Sequence, residues 1–449
     1  MGETKWTEEQ QSAIDTRECN LLVAAAAGSG KTAVLVERII KIITDEKKPV
    51  DVDKLLVVTF TNAAAAEMRE RIAGAITKAL EKNPSSKNLQ KQLTLLSRAN
   101  ITTMHSFCLD TIKNNFHVIN LDPSFRILDE TEGILLKDEI LQKLFEEKYD
   151  DQNQEFLNLV EAYSGSKNDE KLKEIILNLY RFSMSGADPE KWLMEKAEEF
   201  NIDTIEDLDK SLWMKVLKDN LKIELEGLIS MAQKAIELCN SCGGLEPYIE
   251  NFNDDIVQIQ MIYDSLNLSI KDIYANCTFS KLKTVKKDNV EDEEVQKRVK
   301  KIRDDIKKNV KKIINDIFPM TPETMLQAIK SVYPFMKELS STVIEFQSIF
   351  LKAKKEKNSL DFNDLEHFCL KILKDEKAKV ADKFKEKFYE VLVDEYQDSN
   401  NVQEAIIDLD RQSQNYFWIN TILILKKKAN VEKFNYIRIS EAVKRLFQG

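Results

Sequence analysis

Short apolar runs alternate with longer helical repeats along roughly the first 120 residues. Each run is short enough for a strand, and each repeat spaces its apolar residues three or four positions apart, as in an amphipathic helix. Strands that alternate with helices are typical of a parallel α/β sheet. A further apolar run at residues 391–393, at the end of a predicted strand at 387–393, predicts that the chain returns to this sheet. The predicted elements before it are strands near 20–24, 54–60 and 100–104 and helices at 32–43 and 63–76.

Between about residues 121 and 360 the pattern is helical. Leu136, Ile140 and Leu144 mark one apolar repeat, and Val299 and Ile306 belong to another. This spacing predicts amphipathic helices, and strand signals are nearly absent. The pattern therefore predicts an α/β fold whose parallel-sheet core is interrupted by a large all-helical inserted domain.

A glycine-containing loop joins the first predicted strand to the first predicted helix. In such a loop the backbone N–H groups and the helix N-terminus bind phosphate. A lysine reaches the β- and γ-phosphates, and the following hydroxyl binds Mg²⁺. The loop therefore predicts a nucleoside triphosphate site. Its residues are Ala25, Ala26, Ala27, Gly28, Ser29, Gly30, Lys31 and Thr32.

An acidic motif, Asp394-Glu395-Tyr396-Gln397-Asp398, directly follows the last apolar run. In phosphoryl transfer, one carboxylate holds the metal and a second group orients the attacking water. We expect Asp394 to hold Mg²⁺ together with Thr32, and Glu395 to polarise the water, with Lys31 binding phosphate. The alternative is a pair of solvated carboxylates after an edge strand.

These motifs and three others, in the same order, resemble the N-terminal part of the superfamily 1A DNA helicases of the UvrD/Rep type. Two further segments, residues 125–130 and 360–365, favour the AddA branch of helicase–nuclease subunits from the bacterial AddAB recombination complex. The resemblance covers about residues 4–408. The three other motifs are Trp6-Thr7-Glu8-Glu9-Gln10, Val57-Val58-Thr59-Phe60-Thr61-Asn62 and Ile101-Thr102-Thr103-Met104-His105-Ser106-Phe107.

The resemblance implies roles for individual residues. Gln10 reads adenine through its amide, which both donates and accepts hydrogen bonds. Gln397 links the γ-phosphate to the DNA side. The alternatives are a Phe60 in the core, an Asn62 that caps the following helix, and a His105 that makes structural hydrogen bonds. The residues implied to contact single-stranded DNA by stacking and phosphate hydrogen bonds are Phe60, Thr61, Asn62, His105 and Ser106.

The resemblance also implies a RecA-like P-loop NTPase fold. Residues 1–120 and 361–410 would form the core called 1A, around a helical 1B insertion at residues 121–360. The implied function is ATP-dependent 3′→5′ DNA unwinding in recombination and double-strand break repair. ATP and Mg²⁺ are the implied cofactors. The implied partners are DNA, single- or double-stranded, and an AddB-type nuclease subunit.

Motors of this class hydrolyse ATP between two cores, and the sequence indicates only one. We therefore expect the chain to bind Mg-ATP and single-stranded DNA with little or no turnover. The alternative is a non-enzymatic fragment that binds nucleotide or DNA or docks on an AddB-type partner.

Charge and cysteine content change the picture little. The net charge of −10 argues against a generally basic surface but allows a local positive groove with aromatic stacking. Acidic residues interrupt the charged segment 281–312, which predicts a solvated helical face rather than a DNA-binding stripe. Asp361 and Asp364 lack the further acids of a nuclease cluster, so we predict no nuclease activity. Cys239 and Cys242 lack a second ligand pair, so we expect no zinc site.

The two ends of the sequence support two further expectations. No apolar leader begins the chain and no apolar run approaches the ~20 residues of a membrane span, so we expect a cytoplasmic protein. No glycine lies between Gly244 and Gly449, so the turn that the family has after its acidic motif has no candidate. We interpret residues 411–449 as an atypical tail, truncated or frame-shifted. Its apolar run at 416–425 could drive aggregation if it has no sheet to join.

Overall fold

The structure is a computed structural model of the 449-residue chain. It describes residues 6–17, 19–24, 29–164, 168–273, 277–286, 290–317, 321–408 and 416–420. These residues are mostly helical, with a small parallel sheet. They form two compact units. The first contains the described residues through Met194 and from Glu338 onward, and the second contains those of Glu195–Lys337.

Five parallel strands form the main sheet of the first unit. The strands among the described residues are β1 (Leu21–Ala24), β2 (Leu55–Thr59), β3 (Asn100–Thr103), β4 (Arg126–Ile127), β5 (Ser359–Leu360), β6 (Glu390–Val393) and β7 (Tyr416–Asn420). The main sheet has the order β1-β7-β6-β2-β3, while β4 and β5 pair in a separate two-stranded parallel sheet. Since every pair in the main sheet is parallel, the carboxyl ends of its strands share one edge.

Helices surround this sheet and make up the second unit. The helices that begin before residue 194 are α1 (Glu8–Asp15), α2 (Lys31–Ile43), α3 (Asn62–Lys82), α4 (Lys87–Leu95), α5 (Met104–Asn115), α6 (Glu130–Asp150), α7 (Gln154–Tyr163), α8 (Glu170–Ser183) and α9 (Pro189–Glu198). The remaining helices are α10 (Ile205–Lys210), α11 (Leu212–Asn240), α12 (Glu246–Ser265), α13 (Glu293–Ile317), α14 (Pro322–Glu356), α15 (Phe362–Lys374), α16 (Val380–Lys387) and α17 (Asn401–Asp408).

Alternate residues of the buried strands face opposite layers of helices. Val57 and Leu392 pack in a cluster with apolar side chains from α1 to α4. Leu56 and Val391 pack in a second cluster with side chains from α5, α15, α16 and α17. Because side chains along a strand alternate between the two faces of its sheet, β2 and β6 must be apolar on both faces. This requirement explains the apolar runs at residues 55–58 of β2 and 391–393 of β6.

Side-chain caps set the start of many of the helices. A cap hydroxyl or carboxylate accepts a hydrogen bond from a first-turn backbone N–H that would otherwise lack an intrahelical partner. In α1 and α15 the third residue of the helix returns a bond to the cap, which completes a capping box. Caps of this kind in the first unit, among which Asn153 uses its amide oxygen, include Thr7, Thr61, Ser86, Thr103, Asp129, Asn153 and Asp361.

The strands and helices predicted for the first 120 residues are confirmed to within a few residues, except that α3 continues to Lys82. The last predicted strand begins later than expected. Residues 380–387 form α16, and the Phe388 N–H still donates to the Phe384 carbonyl, so β6 begins only at Glu390. The boundaries at 121 and 360 stay a prediction.

The tail prediction needs a correction at residues 416–420. They form β7, which pairs in parallel with β1 on one side and β6 on the other. Leu22 lies opposite Trp418, and Leu392 lies opposite Phe417. The first part of the apolar run thus has a sheet to join and connects β1 to the rest of it. Residues 409–415 and 421–449, which include the remainder of the predicted tail, lie outside the described residues.

The second unit packs the apolar stripe of α13 against α11 and α12. Val299 and Ile306 are fully buried, while most charged residues of α13 are exposed, as the sequence predicted. Arg303, in contrast, is buried, and its guanidinium bonds to the Asp255 carboxylate at 2.6 and 2.9 Å. Cys239 and Cys242 lie in the same apolar cluster. In the described part of the chain, every helix is too short or too polar to cross a membrane.

Candidate nucleotide and nucleic-acid site

Most of the predicted site residues lie at the carboxyl edge of the main sheet. Lys31 begins the helix after β1, and Asp394 follows β6 directly. Phe60 follows β2, and His105 lies in the first turn of the helix after β3. Ligands of parallel α/β sheets bind at this edge. The predicted phosphate and metal residues therefore follow β1 and β6, and the predicted DNA residues follow the neighbouring strands β2 and β3. The predicted adenine contact, Gln10, lies on α1 before β1.

The loop before α2 ends in a glycine that can adopt a left-handed backbone. Gly30 has φ +83° and precedes the first turn of α2, which has no side-chain cap. The Ser29 hydroxyl is buried and has no hydrogen-bond partner among the described residues. Gln10 donates to the Ser29 carbonyl at 3.0 Å and accepts from the Thr7 N–H at 3.0 Å, so its amide is tied to the loop. Residues 25–28 lie outside the described residues.

The acidic motif faces the loop lysine. Lys31 Nζ lies 3.7 Å from the Glu395 carboxylate, which also accepts from the Gln397 side-chain amide. The Asp394 N–H donates to the Val58 carbonyl at 2.9 Å and so extends the pairing of β6 with β2. Burial and then the charge of Glu395 raise the pKa of Asp394 above its ordinary value. A cation beside this acidic pair (Asp394 and Glu395) would relieve that repulsion.

Glu395 has an uncommon backbone conformation for its residue type. Its φ of +53° lies in the left-handed region, which costs a non-glycine residue energy. The residue stands between the end of β6 and the short 3₁₀ turn Tyr396–Asp398. This strained turn directs the carboxylate back toward Lys31. Such strain is common at ligand sites, where the surrounding structure holds it.

The chemistry of these groups fits a nucleotide with a divalent cation. The helix α2 begins without a side-chain cap, so its first amides suit phosphate oxygens. The Lys31 ammonium and the Ser29 hydroxyl, which has no hydrogen-bond partner among the described residues, suit them as well. The acidic pair and the half-buried Thr32 hydroxyl offer the oxygen ligands that Mg²⁺ prefers. Mg²⁺ usually takes one or two carboxylates together with phosphate oxygens of the substrate. Among the described residues, no three His, Cys, Asp or Glu side chains are grouped to hold a metal.

A buried ion pair connects the helix after the loop to the strand before the acidic pair. Arg38 on α2 and Glu390 on β6 are each 1% exposed, and their Nε and Oε1 atoms lie 2.6 Å apart. Arg38 also donates to the carbonyls of Ala13 and Thr16. Burial raises the pKa of Glu390 although Arg38 opposes the shift. The pair therefore fixes the two sequence-distant parts of the site to each other.

The turn after β2 presents an aromatic side chain to solvent. Phe60 is 65% exposed, so the alternative in which it lies in the core is wrong. The helix cap is Thr61, whose hydroxyl accepts from the Ala64 N–H at 3.0 Å, so the alternative in which Asn62 caps the helix is also wrong. Asn62 is exposed as the first residue of α3. Its side chain is accessible, in keeping with the predicted contact.

A second aromatic group lies beside His105. The centroid of the His105 ring lies 4.8 Å from that of the Phe362 ring. Phe362 is 54% exposed at the start of α15. His105 Nε2 also lies 3.1 Å from the buried Glu366 carboxylate. Ser106 accepts from the Thr103 hydroxyl at 3.0 Å and so belongs to the cap of α5. His105 therefore makes the structural contact named as an alternative, and its ring still reaches the surface.

Sequence reasoning missed Arg38, Glu390, Phe362 and Glu366. The first two sit in a helix and a strand whose apolar residues dominate the pattern. Phe362 had a local signal, because it directly follows a helix cap and lies before the positions of the helix that face the core. A large apolar residue at such a position is expected to be exposed. Glu366 had none, since a charged residue in a helix is expected to be solvated unless its partners are known.

Asp361 and Asp364 serve the start of α15. They form its capping box, and both bond to the buried Lys354 ammonium, at 2.8 and 2.6 Å. Burial alone would raise the pKa of Asp361, but Lys354 holds it below its ordinary value. Burial raises the pKa of Asp364 from 3.8 to about 6. These contacts give the two carboxylates a structural role.

The raised pKa of Asp364 predicts a pH dependence of stability. The native carboxyl keeps its proton to about pH 6, whereas the unfolded one loses it near 3.8. Protonation therefore favours the folded state, and this contribution is lost as the pH rises through 6. From about pH 4 to about pH 7, the unfolding free energy of the protein should fall by about 1–3 kcal/mol relative to that of Asp364→Asn. Urea denaturation measures it, with the exposed Asp382→Asn as control; a constant difference would contradict the raised pKa.

The parallel sheet carries a strand–loop–helix segment at its carboxyl edge and two acidic residues after another strand. This arrangement is typical of the P-loop NTPases. The model of one protein family, the UvrD/REP helicase N-terminal domain, matches residues 6–420 of the chain. The chain belongs to this family. The resemblance to UvrD/Rep-type helicases found in the motifs is thereby confirmed.

Curated bacterial relatives align along nearly the whole chain. A relative from Clostridium beijerinckii, named as an ATP-dependent helicase/nuclease subunit, is 54% identical over 469 aligned residues, which cover 100% of this chain and 38% of the relative. Relatives of the same name from Clostridium perfringens strain 13 and Clostridium novyi strain NT are each 52% identical, over 98% and 97% of this chain. The chain thus spans 35–38% of the length of these relatives. They confirm the resemblance to the AddA branch.

Proposed function

We propose that the chain is the nucleotide-binding core of an ATP-dependent DNA helicase of the AddA branch. The observation that carries the proposal is the approach of Lys31 to Glu395, 3.7 Å apart at the carboxyl edge of the sheet. In this proposal residues 1–120 and 361–410 form the RecA-like core 1A, joined by β7. Residues 121–360 form the helical 1B insertion.

In the proposed site each residue has a distinct task. Bound Mg-ATP supplies the phosphoanhydride bond that is hydrolysed. Lys31 would exchange its contact with Glu395 for phosphate oxygens, while the Thr32 hydroxyl and Asp394 would hold the cation. Glu395 would orient and polarise the attacking water, a contribution typically worth 10²–10⁴-fold. We expect little or no turnover from this chain by itself, because motors of this class hydrolyse ATP between two cores and its sequence indicates only one. Gln397, bonded to Glu395, reports the state of the phosphates to the DNA side.

Gln10 and the loop backbone complete the nucleotide site in this proposal. Gln10 would turn its amide to adenine, and the backbone N–H groups of the loop predicted at residues 25–32 would bind the phosphates. Its present bond to the Ser29 carbonyl keeps the amide next to the loop. In this proposal Gln10 and the loop contact the same bound nucleotide.

Single-stranded DNA is the proposed second ligand. Phe60, His105 and Phe362 expose rings at the same edge of the sheet, and aromatic rings stack on bases without regard to sequence. Thr61, Asn62 and Ser106 lie beside these rings and supply polar groups for phosphate. The names of the relatives support a helicase activity within a complex of several chains. We extend this to 3′→5′ unwinding in the repair and recombination of double-strand breaks, an AddB-type partner, and work on the chromosome in the bacterial cytoplasm.

The proposal is tested by two titrations of the 449-residue chain. A fluorescent ATP analogue should bind in the presence of Mg²⁺ and more weakly in EDTA, because Asp394 and the Thr32 hydroxyl would hold the cation, whose charge would offset that of the phosphates. A fluorescein-labelled oligothymidylate should bind with an affinity that falls as salt rises. If neither ligand binds at low salt, the proposed function is wrong.

We expect Phe60→Ala and Phe362→Ala to weaken oligothymidylate binding by about 5- to 150-fold each, since stacking contributes about 1–3 kcal/mol per base. Fluorescence anisotropy at fixed salt measures the change. Phe182→Ala is the matched control, because Phe182 is also an exposed phenylalanine of the first unit but lies on α8. Equal effects at all three positions would argue against a specific stacking surface.

A further inference from the structure

A buried carboxylate joins three helices of the first unit. Glu366 on α15 is 2% exposed. Its oxygens accept from Gln403 Nε2 at 2.6 Å and Asn400 Nδ2 at 2.9 Å, and one of them lies 3.1 Å from His105 Nε2. Burial alone would raise the pKa of Glu366, but the bonds from His105, Asn400 and Gln403 hold it below its ordinary value. The carboxylate therefore stays charged within this set of donors.

Two of the three donors belong to the segment that follows the acidic pair. Asn400 accepts from the Gln403 N–H at 2.8 Å and so caps the start of α17. The next residue of the helix, Glu404, accepts from the Tyr396 hydroxyl. Tyr396 directly follows Glu395, the partner of Lys31. Glu366 thus holds the first turn of α17, and α17 holds the turn that carries the proposed water-orienting carboxylate.

The third donor faces the proposed nucleic-acid surface. The His105 side chain is 41% exposed and packs against the exposed Phe362. A ligand that draws the His105 ring away leaves the Glu366 carboxylate to Asn400 and Gln403 alone. Because three donors share two oxygens, a change at one of them alters the bonds of the others.

We propose that Glu366 is a positioning residue that couples nucleic acid bound at His105 to nucleotide bound at Lys31 and Glu395. The inference rests on the proposed function and adds a specific connection to it. Coupling of this kind is reciprocal, since each ligand changes the affinity for the other by the same factor. It therefore has a direct measure, the ratio of the oligothymidylate Kd without and with saturating Mg–AMP-PNP.

Glu366→Gln tests the connection in the 449-residue chain. The amide keeps the size of the side chain but offers one acceptor oxygen to three donors. With an oligothymidylate of about 16 nucleotides, we expect a coupling factor of about five or more in the unaltered chain, and near one in the variant. Each ligand alone should still bind the variant, which a general loss of structure would not allow. In a chain that already carries His105→Ala, adding Glu366→Gln should not change the coupling factor further.

Cys369→Ala is the matched control for packing. Cys369 is fully buried one turn beyond Glu366 on α15, so its truncation loosens the same interface without touching the three donors. The control should keep the coupling factor of the unaltered chain. The inference is overturned if that factor is already one, if Glu366→Gln leaves it unchanged, or if the control also abolishes it. If the unaltered chain binds neither ligand, the proposed function on which the inference rests is wrong.

Discussion

Arg38→Met is expected to lower the local unfolding free energy of α2 and β6 by about 3–5 kcal/mol. The substitution removes the guanidinium from the buried Glu390 and leaves a charge in a site with almost no solvent. It also takes donors from the carbonyls of Ala13 and Thr16. Hydrogen exchange of the peptides that cover α2 and β6 measures the loss, because it reports the free energy of local opening.

Two further variants separate the buried charge from other causes. Lys41→Met alters an exposed cation on the same helix and should change stability by less than about 0.5 kcal/mol. The double variant Arg38→Met, Glu390→Leu removes both charges and should recover most of the loss, because an apolar pair is often as stable as a buried ion pair. A double variant no more stable than Arg38→Met would show that the carbonyl contacts, rather than the unpaired carboxylate, dominate.

Lys31→Ala is expected to weaken Mg-ATP binding by about 10- to 100-fold, as a hydrogen bond to a charged group is worth about 1.5–3 kcal/mol. The side chain has one positive charge at the start of α2, beside the acidic pair. Without it the carboxylates face the phosphates with less compensating charge, so the repulsion adds to the lost contact. Titration with a fluorescent ATP analogue at fixed Mg²⁺ measures the change.

Lys41→Ala is the control for this prediction, since it removes a cation of the same helix that pairs with Asp15 instead. It should bind Mg-ATP as the unaltered chain does. Adenosine, which lacks phosphates, should bind Lys31→Ala and the unaltered chain alike. Equal weakening of adenosine and ATP would mean that the substitution disturbs the loop, and undiminished ATP binding would remove Lys31 from the proposed site.

Local patterns predicted the elements that carry the candidate site. The apolar runs before Lys31 and Asp394 mark β1 and β6, and the glycine before Lys31 marks a turn that most residues cannot adopt. These signals lie within a few residues of the groups they position. Phe60 also had a local signal, because it lies where a predicted strand ends, at the edge of the sheet where ligands bind.

The missed features all depend on pairs of residues far apart in the chain. Residues 416–420 form a strand only because β1 and β6 leave a place between them, which an apolar run alone does not reveal. Glu366 looks like a solvated residue until His105 and α17 meet it. The same holds for Arg38, whose partner is 352 positions away.

The sequence by itself determined the family of the protein, the loop and acidic motifs, and the alternation of strands and helices in the sheet core. Backbone sterics and the burial of apolar side chains act over short stretches, so these features are written locally. Only the tertiary structure decided which charges are buried, which rings reach the surface, and where β7 joins the sheet. Those outcomes depend on desolvation and on partners that long-range packing brings together, and both exist only once the chain has folded.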